Sequence, residues 1–261
     1  IHGAYLDATA LTYIVKRYVD DQETVVADAL AETSFVDTYS SDELQAVYYT
    51  VEAVLNGMAS EAVSTKSITL GYLTLPFADS FAGASFGKVW TAEAVKGTFN
   101  WVAVETNPYP NQKPAVTKAY DNDGGFAFYN SWNSVKGNSA RLASVPLKYV
   151  AGTSPVVEFY VFRSAGNDAI KVQVSCDNAD WKDVEGAVVT LKGDKSEWEK
   201  VTFPIASAIT ADCSTFRIAF VAESQYGQNT VMDKVRVFVP AEKDLEVSTL
   251  IAPTSVYSGK T

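Results

Sequence analysis

A short acidic turn in the middle of the chain carries the residue types that bind hard cations. Asp121 and Asp123 stand two residues apart and are followed directly by Gly124 and Gly125. Ca²⁺ takes six to eight oxygen ligands from carboxylates, backbone carbonyls and water. The turn supplies part of such a set, but the full twelve-residue calcium-binding loop is absent. A solvated acidic turn is the alternative explanation.

Aromatic side chains are the second group that could bind a ligand. Sugar-binding β proteins present Trp or Tyr rings beside polar side chains, and this chain has five Trp and fourteen Tyr. The rigid N-P-Y-P run and the polar SQYGQN loop are both predicted to be exposed. Trp101, Trp181 and Trp198 are expected to pack in a core or at an edge. The candidate ligand-binding residues are Tyr109, Tyr129, Trp132 and Tyr226, each with core packing as its alternative.

Residues that could carry out a reaction are scarce. The chain has one histidine, His2, so a Ser-His-Asp or Cys-His arrangement would have to use it. Metalloprotease, nucleophile-elbow and phosphate-loop motifs are absent, and no closely spaced carboxylate pair suits glycoside hydrolysis. The sequence therefore predicts a protein that is not an enzyme.

The overall charge narrows the class of partner. A formal net charge of −10 disfavours nucleic acid and anionic membrane surfaces, because both reward clusters of Lys and Arg. No apolar run approaches the length of a membrane span, and residues 1–3 do not form a signal peptide. We therefore expect a secreted or surface protein in a mature or excised form.

The elements that must position these residues alternate in polarity, as strands do. Over residues 1–71, turn residues Asp20-Asp21 and Asn56-Gly57 separate the apolar runs. Residues 42–63 also fit an amphipathic helix with one apolar stripe, but their β-branched and tyrosine content and the N-G turn favour strands. Residues 73–76 are predicted to be a short linker.

The first seventy residues resemble the later part of a fibronectin type III module. In that family a Tyr-x-Val-x-Ala-Val strand leads to Asn-x-Gly-x-Ser and a last strand. The matching positions, with Gly57 directly after Asn56, are Tyr49, Val51, Ala53, Val54, Asn56 and Ser60. The first two strands of such a module would have to lie before Gly3. A half sandwich exposes a sheet face and an edge, so we expect this chain to be a piece of a longer one.

The rest of the chain is a series of short strands with turn-type residues between them, such as 165–168 and 193–195, which is typical of a sandwich or jelly roll. Its motifs follow a fixed order: F-x-D-S-F from Phe77, N-W at Asn100, L-x-S-x-P-L from Leu142, E-F-Y-V-F from Glu158, V-x-V-S from Val172, D-x-x-D-W up to Trp181, W-x-K-V from Trp198, R-I-A-F from Arg217 and M-D-K-V from Met232. This order resembles the jelly-roll adhesin domains of Bacteroidetes surface proteins, known as cleaved-adhesin, choice-of-anchor J or MAM-like domains. Ala78 and Ser80 depart from that family, which often has a second acidic residue there.

The jelly-roll resemblance also implies a structural cation. Such domains often join the entry strand to the terminal strand through Ca²⁺, and the matching positions here are Asp79 and Asp233. Together with Asp121 and Asp123 they are the candidate metal ligands. The alternative is that Asp233 is hydrogen-bonded to backbone and that the others are solvated.

Two features near the C-terminus leave alternatives open. Residues 241–261 join a charged linker to a segment that resembles the first strand of a further Ig-like or fibronectin-type module. Residues 247–258 could then complete a neighbouring copy by strand donation. Cys176 and Cys213 form either one disulfide or two buried thiols.

We therefore expect an all-β modular protein: a partial fibronectin type III-like sandwich over residues 1–72, a concanavalin-like or galactose-binding-like jelly roll over 76–240, and a linker with the start of another module over 241–261. The resemblance implies a non-catalytic binding or adhesion module, secreted or on the outer cell surface, with carbohydrate or a host glycoprotein as its ligand. The alternative is a structural spacer beside the catalytic domain of a secreted peptidase or glycosidase.

Overall fold

The computed structural model describes residues 11–241, apart from the side chains at positions 164–165 and 193–195. Its regular elements are β-strands, with 3₁₀ turns at Ala82–Ala84 and Ala206–Ala208, so the predicted all-β class is confirmed. No helix in the described range is long and apolar enough to cross a bilayer. The strands are β1 (Leu11–Val19), β2 (Gln22–Leu30), β3 (Gln45–Leu55), β4 (Met58–Ala59), β5 (Val63–Ser64), β6 (Ile68–Leu70), β7 (Phe77–Asp79), β8 (Trp90–Lys96), β9 (Trp101–Val104), β10 (Phe126–Tyr129), β11 (Ser139–Ser144), β12 (Leu147–Lys148), β13 (Val156–Cys176), β14 (Lys182–Pro204), β15 (Thr215–Glu223) and β16 (Thr230–Phe238).

Strands β1 to β6 form one antiparallel sheet, in the order β2-β1-β3-β4 with β5 and β6 also pairing with β3. The pairing of β1 with β3 runs without interruption from Leu11 opposite Leu55 to Val19 opposite Val47. The stretch that also fitted a helix is therefore a strand. The hairpin turns at Asp20-Asp21 and Asn56-Gly57 have positive φ at all four residues, between 45° and 78°. Such turns match the right-handed twist of the strands that they join.

Strands β7 to β16 form a jelly roll of two packed layers. The long strands β13 and β14 pair with each other and pass through both layers. All ten strands are joined in one hydrogen-bonded sheet in the order β8-β11-β15-β13-β16-β10-β9, with β14 paired to β13, β12 to β15 and β7 to β16. We call the part with β8, β11 and β15 the β15 layer and the part with β9, β10 and β16 the β16 layer. β15 pairs with the second half of β13 and β16 with its first half. β7 extends the β16 layer by pairing with the end of β16.

The core lies between the two layers and is filled by alternate residues of their strands. In β13, Val157, Phe159 and Val161 face it from the β16 layer, and Ile170, Val172 and Val174 face it from the β15 layer, each at most 1% exposed. Because successive strand residues point to opposite faces, Gln173 and its outward neighbours on the adjacent strands lie on the outer face of the β15 layer.

The loop between β9 and β10 covers the outer face of the β16 layer. Val116 and Ala119 of this loop are buried against Phe126 and Phe128 in a second apolar cluster. A strand with one solvated face alternates between buried and exposed residues, yet all four residues of β10 are buried. The covering loop is the reason.

The segment between the two regions is hydrogen-bonded into the jelly roll. Leu73 donates its N–H to the oxygen of Pro146 (2.9 Å) and accepts the N–H of Lys148 (2.8 Å). The Lys148 ammonium lies 4.7 Å from the centre of the Tyr72 ring. Leu73, the first residue of the predicted linker 73–76, is therefore hydrogen-bonded to the jelly roll.

Cys176 and Cys213 form a disulfide bond with a Cα–Cα distance of 5.5 Å across 37 positions of sequence. It ties the end of β13 to the segment that precedes β15. Disulfides form and persist mainly in oxidising compartments. Of the two alternatives for the cysteines, the structure has the bonded one.

Candidate functional site

Three loops meet at one end of the jelly roll, and we name them the aromatic end loops: residues 107–114, 130–138 and 224–229. Asn229 connects all three. Its N–H donates to the oxygen of Lys113 (2.8 Å), its Nδ2 donates to Oε1 of Gln112 (2.9 Å), and its Oδ1 accepts the N–H of Trp132 (3.1 Å). The loops therefore form one connected surface.

A buried carboxylate fixes two of these loops to the strands below them. Asp168 in β13 is 0% exposed. Its Oδ1 accepts the hydroxyl of Ser131 (2.5 Å) and the N–H of Gln225 (2.8 Å), and its Oδ2 accepts the N–H of Gln228 (2.7 Å). A Cβ at Gly227 would lie 2.1 Å from Oδ2, so a larger residue here would displace the Asp168 carboxylate or the loop. Hydrogen bonds to a charged acceptor are among the stronger ones in proteins.

The end loops expose three of the aromatic candidates. Tyr226 is 73% exposed, Trp132 43% and Tyr109 40%. The ring of Tyr109 leans on Phe128, with 6.1 Å between centroids, and the hydroxyl of Ser224 accepts the N–H of Tyr226 (3.1 Å). Hydrogen bonds or ring packing therefore hold each exposed ring in position. All three rings lie at the same end of the jelly roll.

Tyr129, the fourth aromatic candidate, is not available to a ligand. It is 0% exposed, its hydroxyl lies 3.1 Å from the hydroxyl of Ser134, and its ring packs against Trp101 at 6.0 Å. Burial raises the pKa of its phenol. Tyr129 is a core residue at the base of the end loops, so the prediction that it binds a ligand is wrong.

Side-chain amides lie beside the exposed rings. Asn130 is 5% exposed; its Oδ1 accepts the N–H of Asn133 (3.1 Å), while its Nδ2 has no hydrogen-bond partner among the described residues. Asn229 is 1% exposed and Gln112 is half-buried, and their side-chain amides are hydrogen-bonded to each other. Amides offer both donors and acceptors, which suits a ligand with many hydroxyl groups.

The acidic candidates meet at a different place, between β7, β16 and the covering loop. Asp233 is 0% exposed, and its two carboxylate oxygens accept the N–H groups of Tyr120 (2.7 Å) and Lys234 (2.6 Å). Burial raises the pKa of Asp233 to about 7, opposed by these two hydrogen bonds and assisted by the nearby charges of Asp121 and Asp123. Asp233 is therefore hydrogen-bonded to backbone, as the alternative interpretation of this residue predicted.

Asp79 and Asp123 are coupled in the same region. Asp79 accepts the N–H of Phe81 (2.8 Å), and burial, with the charge of Asp123 as a smaller cause, raises its pKa. The Oδ1 atom of Asp123 is buried and has no hydrogen-bond partner among the described residues. The loop approaches closely at Gly125, where a Cβ would lie 1.8 Å from the oxygen of Phe81.

The fourth acidic candidate has another role. Asp121 forms an ion pair with Lys234, with 2.9 Å between Oδ2 and Nζ. Across residues 11–241, no three His, Cys, Asp or Glu side chains are close enough together to hold a metal ion. A cation at Asp79, Asp123 and Asp233 would therefore need backbone oxygens, water and a small shift of the covering loop.

A separate apolar groove of about 600 Å³ lies on the N-terminal sheet. Tyr13, Val15, Tyr49 and Val51 form its floor, and Phe35 stands at its side. Its lining also includes Glu32, Asp37 and Thr65. Large exposed apolar surfaces are uncommon on monomeric proteins.

Fold and end loops together define a β-sandwich of the jelly-roll type with aromatic side chains on its loops. No protein-family profile and no curated protein matches the sequence. Among solved structures, a CBM61 protein in complex with β-1,4-galactotriose is 18% identical, with 62% of this chain and 94% of that chain covered and a TM-score of 0.42. The K1 cleaved adhesin domain of Lys-gingipain from Porphyromonas gingivalis W83 is 14% identical, with 63% and 98% covered and a TM-score of 0.44. The enzymatically active domain of the bacteriophage CBA120 tailspike protein 4 is 8% identical, with 62% and 20% covered and a TM-score of 0.42.

Sequence reasoning missed the residues that organise the end loops. Asp168 was assigned to a turn, and Gln112 and Asn229 were not singled out. The one available signal was Gly227, a glycine directly after Tyr226 in a polar loop, which indicates a close approach but not the residue approached. The partner lies 59 positions away in sequence, and only the fold brings it there.

Proposed function

We propose that this chain is a non-catalytic, extracellular carbohydrate-binding module, and that its ligand contacts the aromatic end loops. The observation that carries the proposal is the exposure of Trp132 and Tyr226 on backbone that the buried Asp168 carboxylate holds in place. Aromatic rings offer a large, rigid contact area with a polar edge. Because the loops are already ordered, little conformational entropy is lost on binding.

The polar groups of the end loops support a ligand rich in hydroxyl groups. Gln112 is half-buried on the loop that carries Tyr109, and the buried amides of Asn229 and Asn130 lie in the same end loops. A few convergent polar groups beside apolar contacts are typical of small-molecule sites. The disulfide supports an extracellular location, either secreted or at the cell surface.

The test is a binding assay with neutral trisaccharides of β-1,4-linked galactose, xylose and glucose and with a glycoprotein glycan array. We expect Trp132→Ala and Tyr226→Ala each to weaken the affinity for the best ligand about tenfold or more. Phe35→Ala is the matched control, because Phe35 is an equally exposed aromatic, at 39%, on the other region. Equal binding by all variants would place the ligand elsewhere, and no binding to any glycan would favour the spacer function.

We also propose that Asp79, Asp123 and Asp233 hold a structural Ca²⁺. The supporting observation is the orphaned, buried oxygen of Asp123 beside two carboxylates that burial makes costly to ionise. Hard oxygen donors of this kind suit Ca²⁺, and a bound cation would favour the ionised carboxylates. Asp121 is then a neighbour held by Lys234 and is not a ligand.

Thermal unfolding after chelation, with and without added calcium, tests the cation. We expect calcium to raise the unfolding midpoint by several degrees, because a ligand that binds only the folded state stabilises it. Asp123→Asn should remove that gain, while Asp180→Asn, an exposed control on another turn, should keep it. An unchanged midpoint with calcium would refute the cation site without affecting the carbohydrate proposal.

A further inference from the structure

The outer face of the β15 layer carries two arginines on adjacent strands. Arg141 lies in β11 and Arg217 in β15, and they are two of the five arginines in the chain. Both lie over the ring of Trp181, with 5.0 Å and 5.4 Å from the guanidinium carbons to the ring centre. The cluster places two guanidiniums on one indole, in a protein whose net charge is −10.

The packing shows that this cluster is fixed to the sheet. Ala143 and Ala219 occupy outward positions of the central strands and lie outside the core cluster, yet they are 3% and 0% exposed. Small residues there let Trp181 and the two arginines lie flat on the face. Arg141 also donates through Nε to Oε1 of Gln173 (3.1 Å), so the guanidinium planes are held in place.

The charges of the two arginines are not balanced in the same way. Arg141 forms an ion pair with Glu93. Arg217 donates through Nε to the backbone oxygen of Ser144 (2.7 Å), and no carboxylate of the described residues forms an ion pair with it. Burial lowers the pKa of Arg217. The charge of Glu93 opposes this shift, and the charge of Arg141 adds to it as the smallest of the three causes. Half-buried charges in proteins are normally paired.

We propose that Arg217, with Arg141 beside it, binds the carboxylate of an acidic sugar such as a uronate residue. The Nε of Arg217 is hydrogen-bonded to backbone, which leaves the two Nη groups of its guanidinium as donors. Their geometry matches the two oxygens of a carboxylate. Trp181 is the ring on which both guanidiniums stack. This site is separate from the aromatic end loops, and it rests on the proposed function only in taking a carbohydrate as the carrier of the carboxylate.

The experiment compares trigalacturonate with its fully methyl-esterified form by isothermal titration calorimetry. We expect the acid to bind and the ester to bind at least about tenfold more weakly, because the ester has lost the charged acceptor. Arg217→Gln should weaken binding of the acid by a similar factor, and Arg217→Lys should recover only part of it, since the ammonium keeps the charge without the planar fork. Raised salt should weaken binding of the acid alone.

The control variant is Arg236→Gln, which removes the same charge from an exposed arginine that also stacks on an aromatic ring, Phe238, at 4.1 Å. It should bind trigalacturonate as the unaltered protein does. Circular dichroism tests whether Arg217→Gln is folded. If it is not folded, Arg217→Lys replaces it in the comparison with the unaltered protein. Equal affinity of the acid and the ester, or of the unaltered protein and Arg217→Gln, would overturn the proposal. A further contrary result would be that Trp132→Ala no longer binds trigalacturonate while Arg217→Gln binds it as the unaltered protein does. That result would overturn the arginine site and support the end-loop site.

Discussion

Residues 11–70 and residues 77–238 are both antiparallel β structure, yet they bury their side chains to very different degrees. In the N-terminal sheet the buried hydrophobic residues are Val15 and Val47, while Phe35, Val36 and Val51 are exposed. The jelly roll has a continuous core between two layers and a second apolar cluster under the covering loop. One region is a single layer with an open apolar groove, and the other is covered on both faces of its β16 layer.

The difference teaches which interactions can hold a single layer together. The N-terminal sheet relies on polar contacts across its groove: Arg17 pairs with Asp37 (2.8 Å), lies 4.1 Å from the ring centre of Tyr39, and is joined by the hydroxyl of Tyr49, 2.9 Å from Asp37. Partly exposed contacts of this kind contribute little each. Buried apolar area contributes about 25 cal/mol per Å². The jelly roll should therefore unfold as the more stable unit.

The largest expected effect contrasts one phenylalanine in each region. Phe220→Ala should reduce the free energy of unfolding by about 3–5 kcal/mol, because it leaves a cavity in a packed core, while Phe35→Ala, already 39% exposed, should cost under about 1 kcal/mol. All five tryptophans lie between Trp90 and Trp198, so urea titration by tryptophan fluorescence reports the jelly roll alone. Far-UV circular dichroism reports both regions. Equal losses in the two variants would contradict the contrast.

Removal of the disulfide should have the next largest effect, and only on the jelly roll. A cross-link across 37 positions restricts the unfolded chain, and its loss costs about 3–4 kcal/mol in the loop-entropy description. The double variant Cys176→Ala with Cys213→Ala should lower the urea midpoint seen by tryptophan fluorescence. Hydrogen exchange of the β1–β3 pairing should stay unchanged. Faster exchange in β1 and β3 would show that the two regions unfold together.

In the presence of a chelator the two regions should respond to pH with opposite sign. The folded pKa of Asp233 is raised to about 7, so its contribution is fully present below the unfolded value near 3.8 and is lost as the pH rises through 7. From pH 5 to pH 7 the jelly roll should lose about 2 kcal/mol. Fluorescence-detected unfolding at both pH values measures this.

Asp37 in the N-terminal sheet has the opposite shift. Burial opposes it, but hydrogen bonds from Arg17 and Tyr49 lower the pKa of Asp37, so its contribution is present above the unfolded pKa and is lost in acid. Asp37→Asn is the matched variant, and it should weaken the acid sensitivity of the sheet without changing the tryptophan signal. A jelly roll more stable at pH 7 than at pH 5 in chelator would show that Asp233 is ionised when folded.

The same contrast explains how far the sequence could lead. Alternation of apolar and polar residues, together with turn residues, predicted the strands of both regions, including β3. This works because the face of the strand on which a side chain lies depends only on its position among its sequence neighbours. The residues at 166–168 have turn composition, yet they lie inside β13, where the strand crosses from one layer to the other. Tyr129 was misplaced because its ring faces the core between the layers, against Trp101. The polar residues that follow it in sequence favour exposure and do not show which face of β10 it lies on.

The smallest expected effect concerns the contact between the regions themselves. Lys88 of the jelly roll and Asp20 of the first hairpin lie 3.4 Å apart, with side chains 79% and 42% exposed. An exposed pair of this kind contributes about 0–1 kcal/mol and is screened by salt. Lys88→Ala should therefore leave the midpoints of both unfolding transitions unchanged. The backbone hydrogen bonds of Leu73, and not this ion pair, join the two regions. A shift of the N-terminal transition, measured by circular dichroism at low salt and absent at high salt, would instead show that the single-layer sheet depends on its charged contact with the jelly roll.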